Sequence, residues 1–299
     1  MPSIRPAWDR LVRFVPRDSQ HIRYGEPILA DPAELNNLDE LADGGKLKVK
    51  VLDGETPLAA TPTGEIATVG KLLGPLDGRT VPIIRCIGLN YKTHILETGR
   101  SLPSCPTIFT KPGPSVADHG EDIPIPVIAQ GQCDYEGELV VLISQDAKNV
   151  SESEALDYVA GYTVGNDVSA RDWQREAEKA GPVPQWTFSK SFDKYAPLGP
   201  CLVAAHVLGD ANNLSLRTIV NGDVRQSANT SDLCFSVARL VAFCSQGQTL
   251  QKGSLIMTGT PGGVGLFMKP PVFLQDGDEV VVEIENIGRL RNRVVFEKD

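Results

Sequence analysis

Residues 139 to 143 read Leu-Val-Val-Leu-Ile, an unbroken apolar run rich in β-branched side chains. Such a run is a strand buried on both faces. The chain enters it through "CDYEGE", which sets Glu136 and Glu138 two positions apart. Side chains alternate along a strand, so both glutamates share a face with Val140 and Leu142. Two carboxylates side by side on a half-buried face repel each other and lose hydration, at a cost of several kcal/mol unless a cation compensates. The alternative is a strand that begins in solvent, with the two glutamates as its charged edge.

The rest of the composition narrows the setting. A chain of 299 residues with 41% hydrophobic content can bury a large core, and 22% charged residues argue against disorder. A formal charge of −9 argues against nucleic acid or an acidic membrane as partner, so an anionic substrate must be captured by local cations. The six cysteines are scattered without a C-x-x-C pair or zinc spacing and read as free thiols in a reducing compartment. No run of 18 apolar residues could span a membrane. Arg5, Arg10, Arg13, Arg17 and Arg23 suggest a mitochondrial matrix address, but Asp9 and Asp18 intervene and no apolar signal core follows, so cytoplasm is the default.

Along the chain, "WDRLVRFVPRD", "HIRYGEPILA" and "KLKVKVLDGE" alternate as short strands do, with a weak helix in "DPAELNNLDELADGG". The Gly/Pro-rich "LLGPLDGRTVP" places a boundary near residue 78, giving a small strand-rich N-terminal domain (1–78) and a main domain (79–299). In the main domain "IIRCIGLN" is a strand, "YKTHILETG" a helix and "KPGPSVADHGEDIPIP" a loop. Ser151 and Glu154 have capping-box spacing and open a helix in "SESEALDYVAGY". "GYTVGNDVS" is a strand, "ARDWQREAEKAG" a helix closed by Gly181, and "WTFSKSFDKYAPLGPCLVA" extended. Asn221-Gly222 turns a hairpin, "SDLCFSVARLVAFCSQG" is a helix, and the chain ends in strands. Strands dominate without βαβ alternation, which makes the fold class α+β, mostly β.

A third carboxylate, Asp167, ends the strand "TVGND". Two glutamates and an aspartate supply three hard oxygen ligands suited to Mg²⁺, Mn²⁺ or Ca²⁺; otherwise Asp167 caps the helix from Ser169 to Glu178. His94 and Glu97 lie three apart on one helical face, the spacing of a general-base dyad and equally of a surface pair. Lys190 has the strand parity of Phe188 and Phe192, which draws its ammonium toward an aromatic face unless it snorkels to solvent. Arg171 and Gln174 are three apart on a helix, and "GTPGGVG" offers Thr260 and bare backbone amides at a tight turn that is no Walker loop.

In order and spacing, "IGLNYKTHILE", "DYEGELVVLI", "GYTVGNDVSARDWQ", "FSKSFDKYAPLGP", "VNGDVRQSANTSDL" and "KGSLIMTGTPGGVG" resemble the fumarylacetoacetate hydrolase family over residues 83 to 299. "SFDKYAPLGP" and "FMKPPVFLQDGDEV" are most similar to its domain-containing-protein-2 branch, which includes oxaloacetate tautomerases. The resemblance implies a mixed β-roll, a homodimer, and Mg²⁺ or Mn²⁺ held by Glu136, Glu138 and Asp167. It implies that His94 and Glu97 activate water, that Lys190 polarises the substrate, and that Arg171, Gln174 and Thr260 hold its oxygens. The expected activity is therefore metal-dependent chemistry on a small anionic, enolisable 2-oxo acid or acylpyruvate. Keto–enol tautomerisation of oxaloacetate and C–C hydrolysis stand level, followed by decarboxylation. A noncatalytic dimeric binding protein on the same fold is the reading from another class.

Overall fold

The computed structural model describes residues 5–97 and 99–298. An eleven-stranded sheet forms the body, and its centre is the run that opened the sequence. Strand Gly137–Ile143 pairs antiparallel with Val159–Asn166 on one side and Leu255–Met257 on the other. Its odd residues Leu139, Val141 and Ile143 enter one core cluster, while Val140 and Leu142 enter a second with Ile84, Phe109, Leu198 and Met257. All seven residues are buried. Each buried aliphatic side chain contributes roughly 1.5–3 kcal/mol, which is what lets the same strand carry a buried carboxylate at its mouth.

A five-stranded second sheet runs in the order Asp223–Asn229, Ser215–Val220, Glu279–Ile284, Gly288–Phe296, Asp122–Ile125. The Asn221-Gly222 turn forms with both residues at positive φ (50° and 87°), as the hairpin requires. The fold is α+β and mostly β, as expected.

Across residue 78 the backbone pairing is continuous. Strand Arg10–Pro16 pairs with Ala196–Ala204 of the main part (Arg10 opposite Val203) and also with Arg23–Pro27 and Thr61–Leu73. Arg13 is buried and donates to Gly74 O and to Asp118, at 2.9 and 2.7 Å. Arg10, Arg13 and Arg23 thus belong to folded strands. The long strand Thr61–Leu73 was not legible, because ten of its residues are exposed or half-buried and show no alternation.

Three local expectations change. Ser151 and Glu154 do meet, Oγ to Oε2 2.5 Å, but the chain makes only a 3-10 turn over Ala155–Tyr158 before strand Val159–Asn166 takes over. The helix expected over "ARDWQREAEKAG" breaks at Glu176 (ψ 127°) into Arg171–Arg175 and Ala177–Ala180, with Gly181 (φ 75°) closing the second. Trp186–Lys190 is helical, not extended. Ser189 Oγ donates to Trp186 O at 2.9 Å inside that turn. The strand parity assigned to Lys190 therefore does not apply.

Candidate active site

The two glutamates stand where alternation puts them, and Asp167 follows its strand at once, its N–H donating to Glu136 O at 2.8 Å. Carboxylate oxygens of Glu136, Glu138 and Asp167 lie within 4.8 Å of one another, all three residues buried. The solvated-edge and helix-cap alternatives are thereby excluded.

Much of the compensating charge is the protein's own. Lys190 Nζ donates to Glu136 Oε2 (2.8 Å), Asp167 Oδ2 (2.7 Å) and Ser169 Oγ (2.6 Å). Its ammonium also lies 5.1 Å from the centroid of the Phe109 ring, so an aromatic neighbour exists, though not one of the expected pair. Lys111 reaches Asp167 Oδ1 at 2.6 Å and donates to the carbonyls of Val168 and Tyr195. Arg171 holds Asp134 through Nε (2.8 Å) and lies 2.6 Å from Glu136 Oε1. Burial pushes the Glu136 carboxyl up, but Lys190 and Arg171 outweigh it and hold it below the usual carboxylate range.

Glu138 forms no ion pair among the described residues, and the more distant Lys190 offsets its burial only in part. Glu138 is 1% exposed and takes one hydrogen bond from Gly259 N–H at 2.7 Å. Gly259 needs its φ of +99°, and a Cβ there would stand 2.9 Å from Asn90 Cβ. Burial first, then Asp167 and Glu136, push the Glu138 carboxyl well above its ordinary value. Four buried carboxylates (Asp134, Glu136, Glu138, Asp167) thus face three buried cations (Lys111, Lys190, Arg171), and the missing charge falls at Glu138. Hard oxygen donors, proximity and this uncompensated carboxyl together fit a divalent metal ion.

The cluster opens into a cavity of about 140 Å³. His94, Gln174, Thr260, Lys190, Arg171 and Glu136 line it, while Glu138 and Asp167, clustered with Glu136, are not among its lining residues. His94 sits on helix Lys92–Glu97 with its ring 5.6 Å from that of Phe267. The side chain of Glu97 lies outside the described residues. Arg171 and Thr260 are already engaged. Besides its two carboxylates, Arg171 donates to Gln174 Oε1 at 3.2 Å, while Thr260 donates to Gly137 O (3.0 Å) and accepts from Gln226 (2.8 Å). The Gln174 amide nitrogen has no such commitment among the described residues. Gly88 forms part of the wall because Trp186 packs on it; a Cβ would lie 1.9 Å from the indole.

Lys111 and Asp134 were missed. Asp134 continues the alternation of Glu136 and Glu138, and Lys111 occupies a core position of strand Thr107–Lys111, two residues from Phe109. Both signals are in the sequence.

A mostly β architecture with a buried, cation-laced carboxylate cluster at the end of its central strands defines an enzyme of the acidic-site β-roll kind. The chain belongs to the fumarylacetoacetate hydrolase family: residues 83–295 match the model of the fumarylacetoacetate (FAA) hydrolase C-terminal region. It is 46% identical to the mitochondrial oxaloacetate tautomerase of Xenopus laevis over 225 residues, covering 75% of this chain and 68% of that one. It is 37% identical to the caffeoylpyruvate hydrolase of Neonothopanus nambi, covering 100% and 97%. Among solved structures, the 2-hydroxyhepta-2,4-diene-1,7-dioate isomerase of Mycobacterium marinum superposes with a TM-score of 0.76 at 33% identity, covering 97% and 99%.

Proposed function

We propose that this enzyme interconverts the keto and enol forms of oxaloacetate with Mg²⁺ as cofactor, and that Glu136, Glu138 and Asp167 hold the ion. The three buried carboxylate oxygens within 4.8 Å, one of them in no ion pair with any described residue, carry the assignment. When bound, the metal supplies Lewis acidity at the 2-oxo oxygen of the substrate. Lys190 adds a fixed positive charge on the same side, and two carboxylates keep it protonated: burial alone would lower its pKa, but Asp167 and Glu136 raise it. Gln174 donates its amide N–H to the substrate's 1-carboxylate. His94, which lines the same cavity, takes and returns the proton at C3. The likeness to the Xenopus tautomerase favours this outcome over others open to the same chemistry.

C–C hydrolysis of acylpyruvates is the second reading, favoured by the near-complete alignment with the Neonothopanus hydrolase. In that case His94, with Glu97 on the same helix, deprotonates a water instead. The homodimer implied by the family belongs to the same proposal, as does a mitochondrial location, which the Xenopus relative supports. The test follows the enol absorbance of oxaloacetate with purified enzyme, with and without Mg²⁺, beside product formation from a set of acylpyruvates. Acceleration that requires Mg²⁺ and vanishes with a chelator is expected. A rate equal to that of buffer with both substrate classes would sink both readings.

A further inference from the structure

Arg171, Lys190 and Thr260 in the cavity lining are engaged within the protein, whereas Arg100 and Arg175 line it from exposed positions. Other basic residues of this region each have a carboxylate. Arg171 holds Asp134 and Glu136, Lys190 holds Glu136 and Asp167, and Lys179 holds Asp172 at 2.7 Å and Glu176 at 3.5 Å. Arg100 and Arg175 form no ion pair with any described residue, in a chain of net charge −9 and with Glu176 adjacent to Arg175 in sequence. Two unpaired guanidinium groups lining one cavity are an anion subsite in waiting.

Arg175 is also placed. Its guanidinium carbon lies 5.7 Å from the centroid of the Phe267 ring, and that ring in turn meets His94. Stacking of this kind orients the planar fork while leaving its N–H edge available. Arg171, Gln174 and Arg175 share one helical face, so Arg175 lies one turn, about 5–6 Å between Cβ atoms, beyond the position that meets Glu136. A four-carbon dicarboxylate carries its two carboxylates a comparable distance apart.

We propose that Arg175 and Arg100 form a distal carboxylate subsite, which selects 2-oxo dicarboxylates over acylpyruvates with a neutral distal group. This rests on the proposed function for the orientation of the substrate, with its 2-oxo end at the carboxylate cluster. The two arginines read the far end, and aromatic Phe267 confines rather than attracts it.

The test is calorimetric binding to the Mg²⁺-loaded full chain of two compounds that cannot enolise, 3,3-difluorooxaloacetate and its 4-methyl ester. Wild type should prefer the diacid, and Arg175→Gln should reduce the diacid-to-ester affinity ratio about tenfold, as loss of one charge-assisted contact does. Arg100→Gln should act in the same direction, and the preference should shrink as salt is raised because both groups face solvent. Wild type binding the ester as tightly as the diacid, failure to bind the diacid, or a ratio unchanged in both variants would each overturn the subsite. Tighter binding of an aryl acylpyruvate than of the diacid would overturn it too and assign the wall to aromatic stacking. A wild type that prefers the diacid but does not tautomerise oxaloacetate would instead defeat the proposed function and leave the subsite standing.

Discussion

Lys111 and Asp167 form an ion pair, Nζ to Oδ1 2.6 Å, with neither side chain exposed to solvent. The lysine also spends two donors on the carbonyls of Val168 and Tyr195, so it ties the strand end bearing Asp167 to the segment that follows helix Trp186–Lys190. Removing one partner of such a pair leaves the other buried without compensation. Lys111→Met should therefore cost about 3–5 kcal/mol of stability. Urea denaturation of the metal-free protein measures it, and a loss below about 1 kcal/mol would mean that Lys190 alone suffices for Asp167.

Glu138→Gln should abolish divalent-metal binding while stabilising the metal-free protein at neutral pH. The sign follows from the raised carboxyl. Folding holds a proton on Glu138 that the unfolded chain releases at about pH 4.3. The metal-free wild type therefore loses stability as pH rises from there through the raised folded value, and glutamine removes that loss. Thermal melts in a chelator should show the variant higher by roughly 3 °C or more at pH 8 and level with wild type near pH 4. In wild type, Mg²⁺ uptake should release a proton and strengthen as pH rises. Equal Mg²⁺ affinity in wild type and variant, by calorimetry, would remove Glu138 from the ligand set.

Asp232 takes the backbone N–H of Thr93 at 3.1 Å and also the Thr93 hydroxyl, capping from a distance the six-residue helix that carries His94. A helix this short has little stability of its own. Asp232→Ala should cost about 1 kcal/mol, the usual value of a lost cap, and its effect should be local. Hydrogen exchange of residues 92–97 should accelerate about fivefold while the central strands keep their protection. Turnover should fall with KM little changed. Uniform loss of protection across the sheet would show a global role instead.

The parts of this site legible in sequence are those whose signal is local. Alternation placed Glu136 and Glu138 on one face, the apolar run after them fixed that face as buried, and Asn221-Gly222 declared its own turn. Asp167 could be nominated because a strand delivers it. Lys111 could not be read as its partner, since 56 residues separate the two and nothing local pairs them. The helix over Trp186–Lys190 was hidden for a different reason: its β-branched and aromatic residues favour strand, and tertiary packing of Trp186 against Phe109 and Gly88 overrides that preference. The engagement of Arg171 and Thr260 within the protein depends on Asp134 and Gln226, which only the folded chain brings close.

The imidazole of His94 separates the two chemistries. If the enzyme is a C–C hydrolase, His94→Asn removes the base that activates water, and cleavage should fall ~10²–10⁴-fold. Loss of the C3 hydrogen next to a polarised 2-oxo group needs no attacking water, so exchange of that hydrogen with deuterium would survive. If His94 is the proton carrier of a tautomerase, cleavage is already absent in wild type and it is exchange that falls. Deuterium incorporation at C3, followed by NMR beside product formation, distinguishes these outcomes for oxaloacetate and acetylpyruvate. The tautomerase outcome is expected, because Lys190, fixed by Glu136 and Asp167, can hold charge at the oxygen but cannot readily give up its own proton. His94 is then the group left to move one. A variant unaltered in both assays would return His94 to a packing role against Phe267.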